Sequence, residues 1–264
     1  MRDKVVVITG ASGGIGAVLA ARVGALGGKP VLAARREREL DEAAARSGPD
    51  ALAVVADVTK RDQVRRIFDA AIARFGHVDV WVNNAGRGIT RAVADLTDEE
   101  FDEMMLVNVK SALYGMQVVL PHFRERRRGH IINISSMLGR LPFFSPRSAY
   151  SAAKHALNAL TANLRMDLRD EFPEIHVTTV LPGVVATDFG SNALGGGNDS
   201  RRLPNAQPVE EVADVIADVI EHPRAEVYTR PGLKELVVSY FSAESVEDAE
   251  SRPPFAAPAA RPRS

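Results

Sequence analysis

Tyr150 and Lys154 stand four positions apart in the run Tyr150-Ser151-Ala152-Ala153-Lys154, a spacing that puts both side chains on one face of a helix. A phenol with a pKa near 10 exchanges protons poorly at neutral pH. A nearby ammonium favours the phenolate and lowers that pKa, which makes proton exchange with a substrate oxygen usable. Such a pair arises easily by chance, so its meaning depends on its company. Near the start of the chain, Thr9-Gly10-Ala11-Ser12-Gly13-Gly14-Ile15-Gly16 follows the apolar run Val5 to Ile8. Glycines there let the backbone bend tightly and approach a pyrophosphate, and a following helix would offer free N–H groups and its positive end to the anion. A plain tight turn would use the same residues. Further on the chain reads Ala33-Ala34-Arg35-Arg36, with no carboxylate before Glu37. In a dinucleotide-binding fold an acidic residue near this point would meet the adenosine ribose. Guanidinium groups would instead hold a 2′-phosphate through charge-assisted forks, which favours NADP(H) over NAD(H). The plainer alternative is that Arg35 and Arg36 are solvated residues at a helix start.

These residues must be positioned by regular elements, and the pattern supplies them. Short runs rich in Val, Ile and Ala at 4–9, 30–34, 51–56, 78–83, 129–135, 175–181 and 225–229 read as strands covered on both faces. Between them, helical periodicity marks 14–27, 37–46, 60–75, 97–123, 148–171 and 208–221. Thr97-Asp98-Glu99-Glu100 has capping-box spacing, and Pro208-Val209-Glu210-Glu211 suits a first turn. Regular alternation of this kind predicts an α/β fold: a doubly wound, mostly parallel, seven-stranded sheet with helices on both faces, Rossmann-like. With no internal repeat or linker, a single domain is expected over 1–243, followed by an unstructured Pro/Ala-rich tail over 244–264. The glycine-rich stretch 188–207 lacks an apolar period and is expected to be a structureless lid. Leu233, Leu236, Val237, Tyr240 and Phe241 have helical spacing. They suggest a short helix docked on the body or on a second subunit; an interfacial membrane anchor is the alternative, without a rich basic face to support it.

Composition sets the outer bounds. The chain has 264 residues, with 33 Lys+Arg against 34 Asp+Glu for a net charge of −1, so no bulk electrostatic case exists for nucleic acid. It contains no cysteine, which excludes disulfides, thiol nucleophiles and thiolate metal sites. The opening apolar run is too short for a signal-peptide core, and no uncharged apolar stretch reaches membrane-spanning length, so a cytoplasmic protein is expected. His77, His122, His130, His155, His176 and His222 lack ligand spacing, which predicts no metal site. The basic run Arg124 to Arg128 falls at a helix C-terminus, where cations complement the dipole.

Taken in order, Thr9 to Gly16, Asp57-Val58, Asn83-Asn84-Ala85-Gly86, Asn108, Ile134-Ser135-Ser136, Tyr150-x-x-x-Lys154 and Pro182-Gly183-Val184-Val185-Ala186-Thr187 resemble the short-chain dehydrogenase/reductase family over roughly residues 3–230. The resemblance implies Tyr150 as general acid or base and Ser136 as hydrogen-bond donor to the substrate oxygen. It implies that Asn108 holds a water in a proton relay behind Lys154, which also binds the nicotinamide ribose. It further implies cofactor binding by Gly10, Ser12, Gly14, Ile15 and Gly16 at the pyrophosphate, Arg35 (with Arg36) at a 2′-phosphate, and Asp57 and Val58 at the adenine. Asn83, Ala85 and Gly86 would line the cleft, and Pro182, Gly183, Val185 and Thr187 the nicotinamide side. Family members commonly carry the serine 13 positions before the tyrosine, where this chain has Met137. Ser136 implies one extra residue in the 140–149 loop, with Ser135 as the alternative. Where many family reductases end in a tetramer-building strand, this chain has Arg230-Pro231-Gly232 and a short apolar helix. A dimer through the 97–123 and 148–171 helices is therefore favoured over a tetramer by resemblance.

The activity so implied is NADP(H)-dependent interconversion of a carbonyl and a secondary alcohol. Leu138, Leu141, Phe143, Phe144, Phe189 and Leu194, drawn from the Leu138 to Phe144 stretch and the 188–207 lid, suggest an apolar wall and a hydrophobic small-molecule substrate. Further substrate contacts are expected from 87–95. Two other classes stay open: a nucleotide-binding regulatory protein of the same fold without turnover, and an epimerase or dehydratase that recycles its cofactor.

Overall fold

The run Val5-Val6-Val7-Ile8 is wholly buried and alternates between two cores: Val6 and Ile8 face one, Val5 and Val7 the other. That is the condition for a central strand in a sheet covered on both sides. The computed structural model describes residues 1–142, 146–203, 205–252 and 255. Seven strands, β1 Val5–Thr9, β2 Lys29–Ala34, β3 Leu52–Val55, β4 Val80–Asn83, β5 Gly129–Ile134, β6 Ile175–Leu181 and β7 Glu226–Tyr228, pair in parallel in the order β3-β2-β1-β4-β5-β6-β7. The direction of winding reverses between β1 and β4, and the crevice beyond their C-terminal ends is where ligands bind in such sheets.

The helices are α1 Gly14–Ala25, α2 Glu37–Arg46, α3 Arg61–Phe75, α4 Asp98–Met105, α5 Ser111–Arg126, α6 Ser148–Leu168, α7 Val209–Glu221, α8 Leu233–Phe241 and α9 Val246–Glu250. Leu19 and Val23 of α1, Leu40 of α2 and Ile216 and Ile220 of α7 fill the core on one face. Ile67 of α3, Phe123 of α5 and Leu168 of α6 fill the other. The helix expected over 97–123 is interrupted: Leu106–Lys110 forms a π-turn between α4 and α5 and carries Asn108. Widened turns of this type are frequent at functional sites. Its start is as the sequence indicates, with Thr97 and Glu100 closing a capping box.

Gly115 is the closest approach of α5 to the sheet. A Cβ there would run into Asn83 Oδ1 and Trp81 Nε1. Those atoms belong to a buried chain in which Trp81 Nε1 donates to Asn83 Oδ1 (2.8 Å), Asn83 Nδ2 to Asn133 Oδ1 (2.8 Å) and Asn133 Nδ2 to Thr161 Oγ1 (2.9 Å). Gly115→Ala should therefore destabilise the fold by about 1–3 kcal/mol through overpacking, read as a lower thermal midpoint. An unchanged midpoint would mean that α5 can shift away without loss.

One expectation needs correction. The stretch 188–207 is not structureless. Leu194 donates to Gly88 O (2.9 Å) and accepts from Thr90 N–H (2.7 Å), Gly195 and Gly196 take positive φ, and Ser200–Arg202 forms a 3-10 turn capped by Asp199. Local side-chain caps and backbone bonds to the neighbouring loop replace the missing apolar period. Of the tail expected over 244–264, residues 253, 254 and 256–264 lie outside the described ones, and Val246–Glu250 forms α9. Ser245 accepts from Asp248 N–H (3.2 Å) to cap α9, and Tyr240 of α8 donates to Glu250 (2.8 Å) and packs against Phe255. The apolar face of α8 docks on the body, with Leu233, Leu236 and Val237 against Met137 and Leu141. The basic run closes α5: Arg126 binds Val78 O and Asp79, while Arg124 and Arg127 lie over Phe172.

Candidate active site

At the C-terminal end of the sheet, the turns after β1 and β4 interlock. Thr9 Oγ1 accepts the N–H groups of Asn84 (3.0 Å) and Ala85 (3.1 Å), and Asn84 Nδ2 donates to Thr9 O (2.8 Å). Gly10 has φ +68°, and a Cβ on it would stand 2.8 Å from Ala85 Cα. A Cβ on Gly16 would be 2.6 Å from Gly10 O. The glycines are therefore set by close backbone approach as well as by the turn. Helix α1 begins at Gly14 behind Gly13, with no side-chain cap and no acidic residue in its first turn. Its leading N–H groups and positive end face the cleft, the arrangement that receives a phosphate.

Arg36 reaches across this loop. Its Nε and Nη2 donate to Ser12 Oγ at 3.2 and 3.0 Å, and Arg36 Nη2 is 3.1 Å from where a Gly13 Cβ would sit. Arg35 borders the same end of the cleft with no carboxylate partner among the described residues. Beyond them lie Asp57, Val58 and Thr59. Asp57 Oδ1 accepts from Thr59 N–H (3.0 Å) and Thr59 Oγ1–H (2.8 Å), leaving Oδ2 free for a base edge, and Gln63 fixes the Asp57 backbone N–H (2.8 Å). An uncapped helix start, a glycine cradle, two arginines and an oriented carboxylate along a cleft of about 590 Å³ fit a nicotinamide dinucleotide.

The other half of the cleft holds the acid–base candidates. Ser136 follows β5; its Oγ accepts from Leu138 N–H (3.1 Å) and faces the same cleft as Tyr150. Tyr150 and Lys154 lie on the first turns of α6, with 7% and 4% of their surface exposed. Lys154 Nζ donates to Ile134 O (2.9 Å) and sits 5.5 Å from the Tyr150 ring centroid. The expectation that this ammonium pulls the phenol down is not met in the polypeptide alone. Burial pushes Tyr150 up to about 12, against the Ser136 hydrogen bond and the Arg147 charge, and burial lowers Lys154 to about 8. Desolvation outweighs charge because both side chains are almost wholly buried, each driven toward its neutral form. Ser135, the alternative serine, also borders the cleft but directs its Oγ to Lys154 O (3.5 Å).

Most of the residues singled out in the sequence meet in this one cleft, including Gly10, Ser12, Gly14, Ile15, Ala85, Gly86, Pro182, Gly183, Val185 and Thr187. Three do not line it. Gly16 is packed behind the loop, and Asn83 is turned into the core, on Trp81 and Asn133. Asn108, expected to hold a water, spends its carbonyl on Arg87 N–H (3.2 Å) and its amide on Arg87 O (3.0 Å) and Met104 O (3.1 Å). It thereby fixes the turn beside Gly86. The apolar wall is also thinner than expected. Leu138 and Phe189 line the cleft, the latter 5.6 Å from the Tyr150 ring. Leu141 is buried beneath α8, Leu194 packs on Ile89, and Phe143 and Phe144 lie outside the described residues. Polar residues that carried no motif join instead: Arg87, Glu103, Arg147 and Asn192. Gln207 was equally unmarked. It is buried, holds the 182–187 segment through its backbone on Val184 O and Ala186 N–H (2.8 Å each), and exchanges side-chain bonds with Thr229.

The profile of the short chain dehydrogenase family matches residues 4–194. An uncharacterized oxidoreductase, YxnA of Bacillus subtilis, is 36% identical over 234 residues, covering 86% of this chain but only 65% of that protein's length. A short-chain dehydrogenase/reductase from Burkholderia phymatum, solved with NAD, superposes with a TM-score of 0.81 at 28% identity, over 90% of this chain and 92% of that one. An alcohol dehydrogenase from Thermococcus sibiricus, solved with 5-hydroxy-NADP, gives 0.76 at 27% identity, over 86% and 96%. No helix among the described residues is long and apolar enough to cross a membrane. This chain belongs to the short-chain dehydrogenase/reductase family of nicotinamide-dependent oxidoreductases.

Proposed function

We propose that the protein is an NADP(H)-dependent enzyme that interconverts a ketone and a secondary alcohol. The observation that carries this reading is the meeting of Ser136, Tyr150 and Lys154 beside Phe189, in the same cleft as the uncapped start of α1. The cofactor, when bound, supplies or accepts the hydride. The chain's own residues manage the proton and the charge on the oxygen. Tyr150, neutral at physiological pH, donates its hydroxyl proton to a carbonyl oxygen as negative charge develops, and Ser136 steadies that oxygen with a second hydrogen bond. Lys154 contributes positive charge next to the resulting phenolate and offers donors to the nicotinamide ribose. Leu138 and Phe189 exclude water from one side of the reacting carbon and accept an apolar substrate body.

The preference for NADP(H) is supported by the adenosine end, where the two guanidinium groups of Arg35 and Arg36 border the cleft and Glu37 does not. Charge-assisted hydrogen bonds are worth about 1.5–3 kcal/mol each. Arg35→Ala combined with Arg36→Ala should accordingly weaken NADPH binding by about 100-fold and NADH binding by less than about 3-fold, as read by fluorescence titration. Equal or tighter NADH binding by the unaltered protein would reverse the cofactor assignment. Titration alongside a panel of ketones tests the reaction itself. Tight NADPH binding without turnover would favour a regulatory role. Exposed Phe101 on α4 and Met166 on α6 support a dimer through these helices, and we place the enzyme in the cytoplasm.

A further inference from the structure

Two guanidinium groups stand on the substrate side of the cleft, and they differ in charge balance. Arg87 is neutralised: its Nη1 meets Glu103 at 2.6 Å, and its Nε donates to Asn192 O (3.3 Å). Arg147 has no carboxylate partner among the described residues. Among the described residues its side chain makes one hydrogen bond, from Nη1 to Ile89 O (3.1 Å), which leaves the Nε and Nη2 edge of the fork without a partner among them. It stands at the start of α6, three residues before Tyr150, close enough for its charge to act on that phenol. Both line the cleft, and Arg147 shares the space over Gly88 with Phe189: a Cβ on that glycine would be 3.0 Å from Arg147 Nη1 and 3.0 Å from Phe189 Cε1. Burial pulls the guanidinium below its ordinary range. A half-buried cation with a free planar edge, held next to the acid–base tyrosine and an aromatic ring, is poised for a planar anion.

We propose that the physiological substrate carries a carboxylate, bound by the free edge of Arg147, so that the enzyme reduces an oxo acid or oxidises a hydroxy acid with an apolar body. This deepens the reading above and rests on it for the reaction, though not for the anion. A single guanidinium carries one charge, which matches a carboxylate; a phosphate monoester would bring a second charge, and among the described residues Arg87 is already paired to Glu103 while Lys154 is held on Ile134 O beside Tyr150. The apolar contact with Leu138 and Phe189 is retained, so the substrate class becomes amphipathic instead of purely lipophilic.

The test is a calorimetric titration of the enzyme, saturated with oxidised cofactor, with 3-phenylpropanoate and with its isosteric amide. The acid should bind about 10- to 100-fold more tightly than the amide. In Arg147→Gln that ratio should fall to within about 3-fold of unity, while Arg147→Lys, which keeps the charge and loses the fork, should retain part of it. Equal binding of acid and amide to the unaltered enzyme overturns the proposal whether or not the variants fold, as does a ratio unchanged in Arg147→Gln. So does a preference for the phosphate ester of 3-phenylpropanol over the acid. A parallel assay of ketone-dependent cofactor oxidation separates the two readings. An acid preference lost with Arg147 in an enzyme that turns over no ketone or oxo acid would uphold the carboxylate site and sink the reductase reading. Turnover of neutral ketones and their carboxylated analogues with equal kcat/KM would do the reverse.

Discussion

Tyr150→Phe is expected to lower kcat for ketone reduction by about 10³- to 10⁴-fold while leaving the Kd for NADPH within about 3-fold. The change deletes a single oxygen. The ring keeps its place against Phe189, 5.6 Å between centroids, and stays within the same buried cluster as Ile89, Met104 and Ala149. What is lost is the proton that must reach the carbonyl oxygen as hydride arrives. Ser136 retains its hydrogen bond from Leu138 N–H and can still donate its hydroxyl to the substrate oxygen, but an aliphatic alcohol is a far weaker acid than a phenol. Stability at neutral pH should change by less than about 1 kcal/mol, because the phenol is un-ionised in the folded and the unfolded chain alike and the ring keeps its packing. Stopped-flow hydride transfer together with fluorescence titration separates the two effects. A fall of less than about 10-fold in kcat would remove Tyr150 from the proton transfer and leave Ser136 to be tested in its place.

Lys154→Met should abolish turnover to a comparable degree and yet raise the thermal midpoint of the protein purified without cofactor. Burial holds Lys154 at about 8 where the unfolded chain has 10.5. The unfolded chain thus binds this proton more tightly, and folding with the ammonium charged carries a penalty of about 3 kcal/mol. The penalty is fully present below pH 8 and relieved as pH rises from 8 toward 10.5. Above 10 the tyrosines act in the opposite sense. Tyr150 and Tyr228 are both pushed up to about 12, so the unfolded chain loses their protons first and stability falls with further rise in pH. Methionine fills the space of the lysine stem without a charge. At neutral pH the variant should melt higher by on the order of 5 °C, less whatever is lost when Ile134 O gives up its 2.9 Å donor. The gain should shrink between pH 8 and 10. Scanning calorimetry of both proteins at several pH values reads it directly, and a variant that melts lower at pH 7 would mean that Ile134 O and the local field fully stabilise the ammonium. The same titration bears on catalysis: as Lys154 loses its proton above pH 8, the positive charge beside the Tyr150 phenolate goes with it, so kcat/KM for reduction should decline through that range.

Together these two variants describe a site built against local stability. A phenol and an ammonium are both held almost wholly buried at the floor of the cleft, each pressed toward neutrality, and the surrounding fold supplies the difference. The wholly buried strands β1 and β4 and the helices packed on both faces provide that reserve, while α8 braces the Ser136 loop from beneath through Met137 and Leu141.

The sequence by itself determined the frame. Strand and helix periods placed all seven strands and the principal helices to within a few residues, because a sheet buried on both faces demands uninterrupted apolar runs and amphipathic helices demand spaced ones. Motifs bound to local geometry were legible for the same reason: Gly10 must turn the chain with a positive φ, and Thr97 with Glu100 must close the first turn of α4. What only the tertiary structure decided were matters of distance across the chain. Whether Asn83 faces cofactor or core depends on the approach of α5 at Gly115, and the π-turn that binds Asn108 to Arg87 leaves no trace in a helical pattern. The sign of the pKa shift at Tyr150 was likewise invisible, since it turns on how deeply burial outweighs a neighbouring charge. So was the character of the substrate wall. Leu141 and Leu194 are apolar wherever they lie, but packing against α8 and Ile89 takes them out of the cleft. Arg147, silent in the sequence, stands in their place because α6 begins there and no carboxylate among the described residues folds back to meet it.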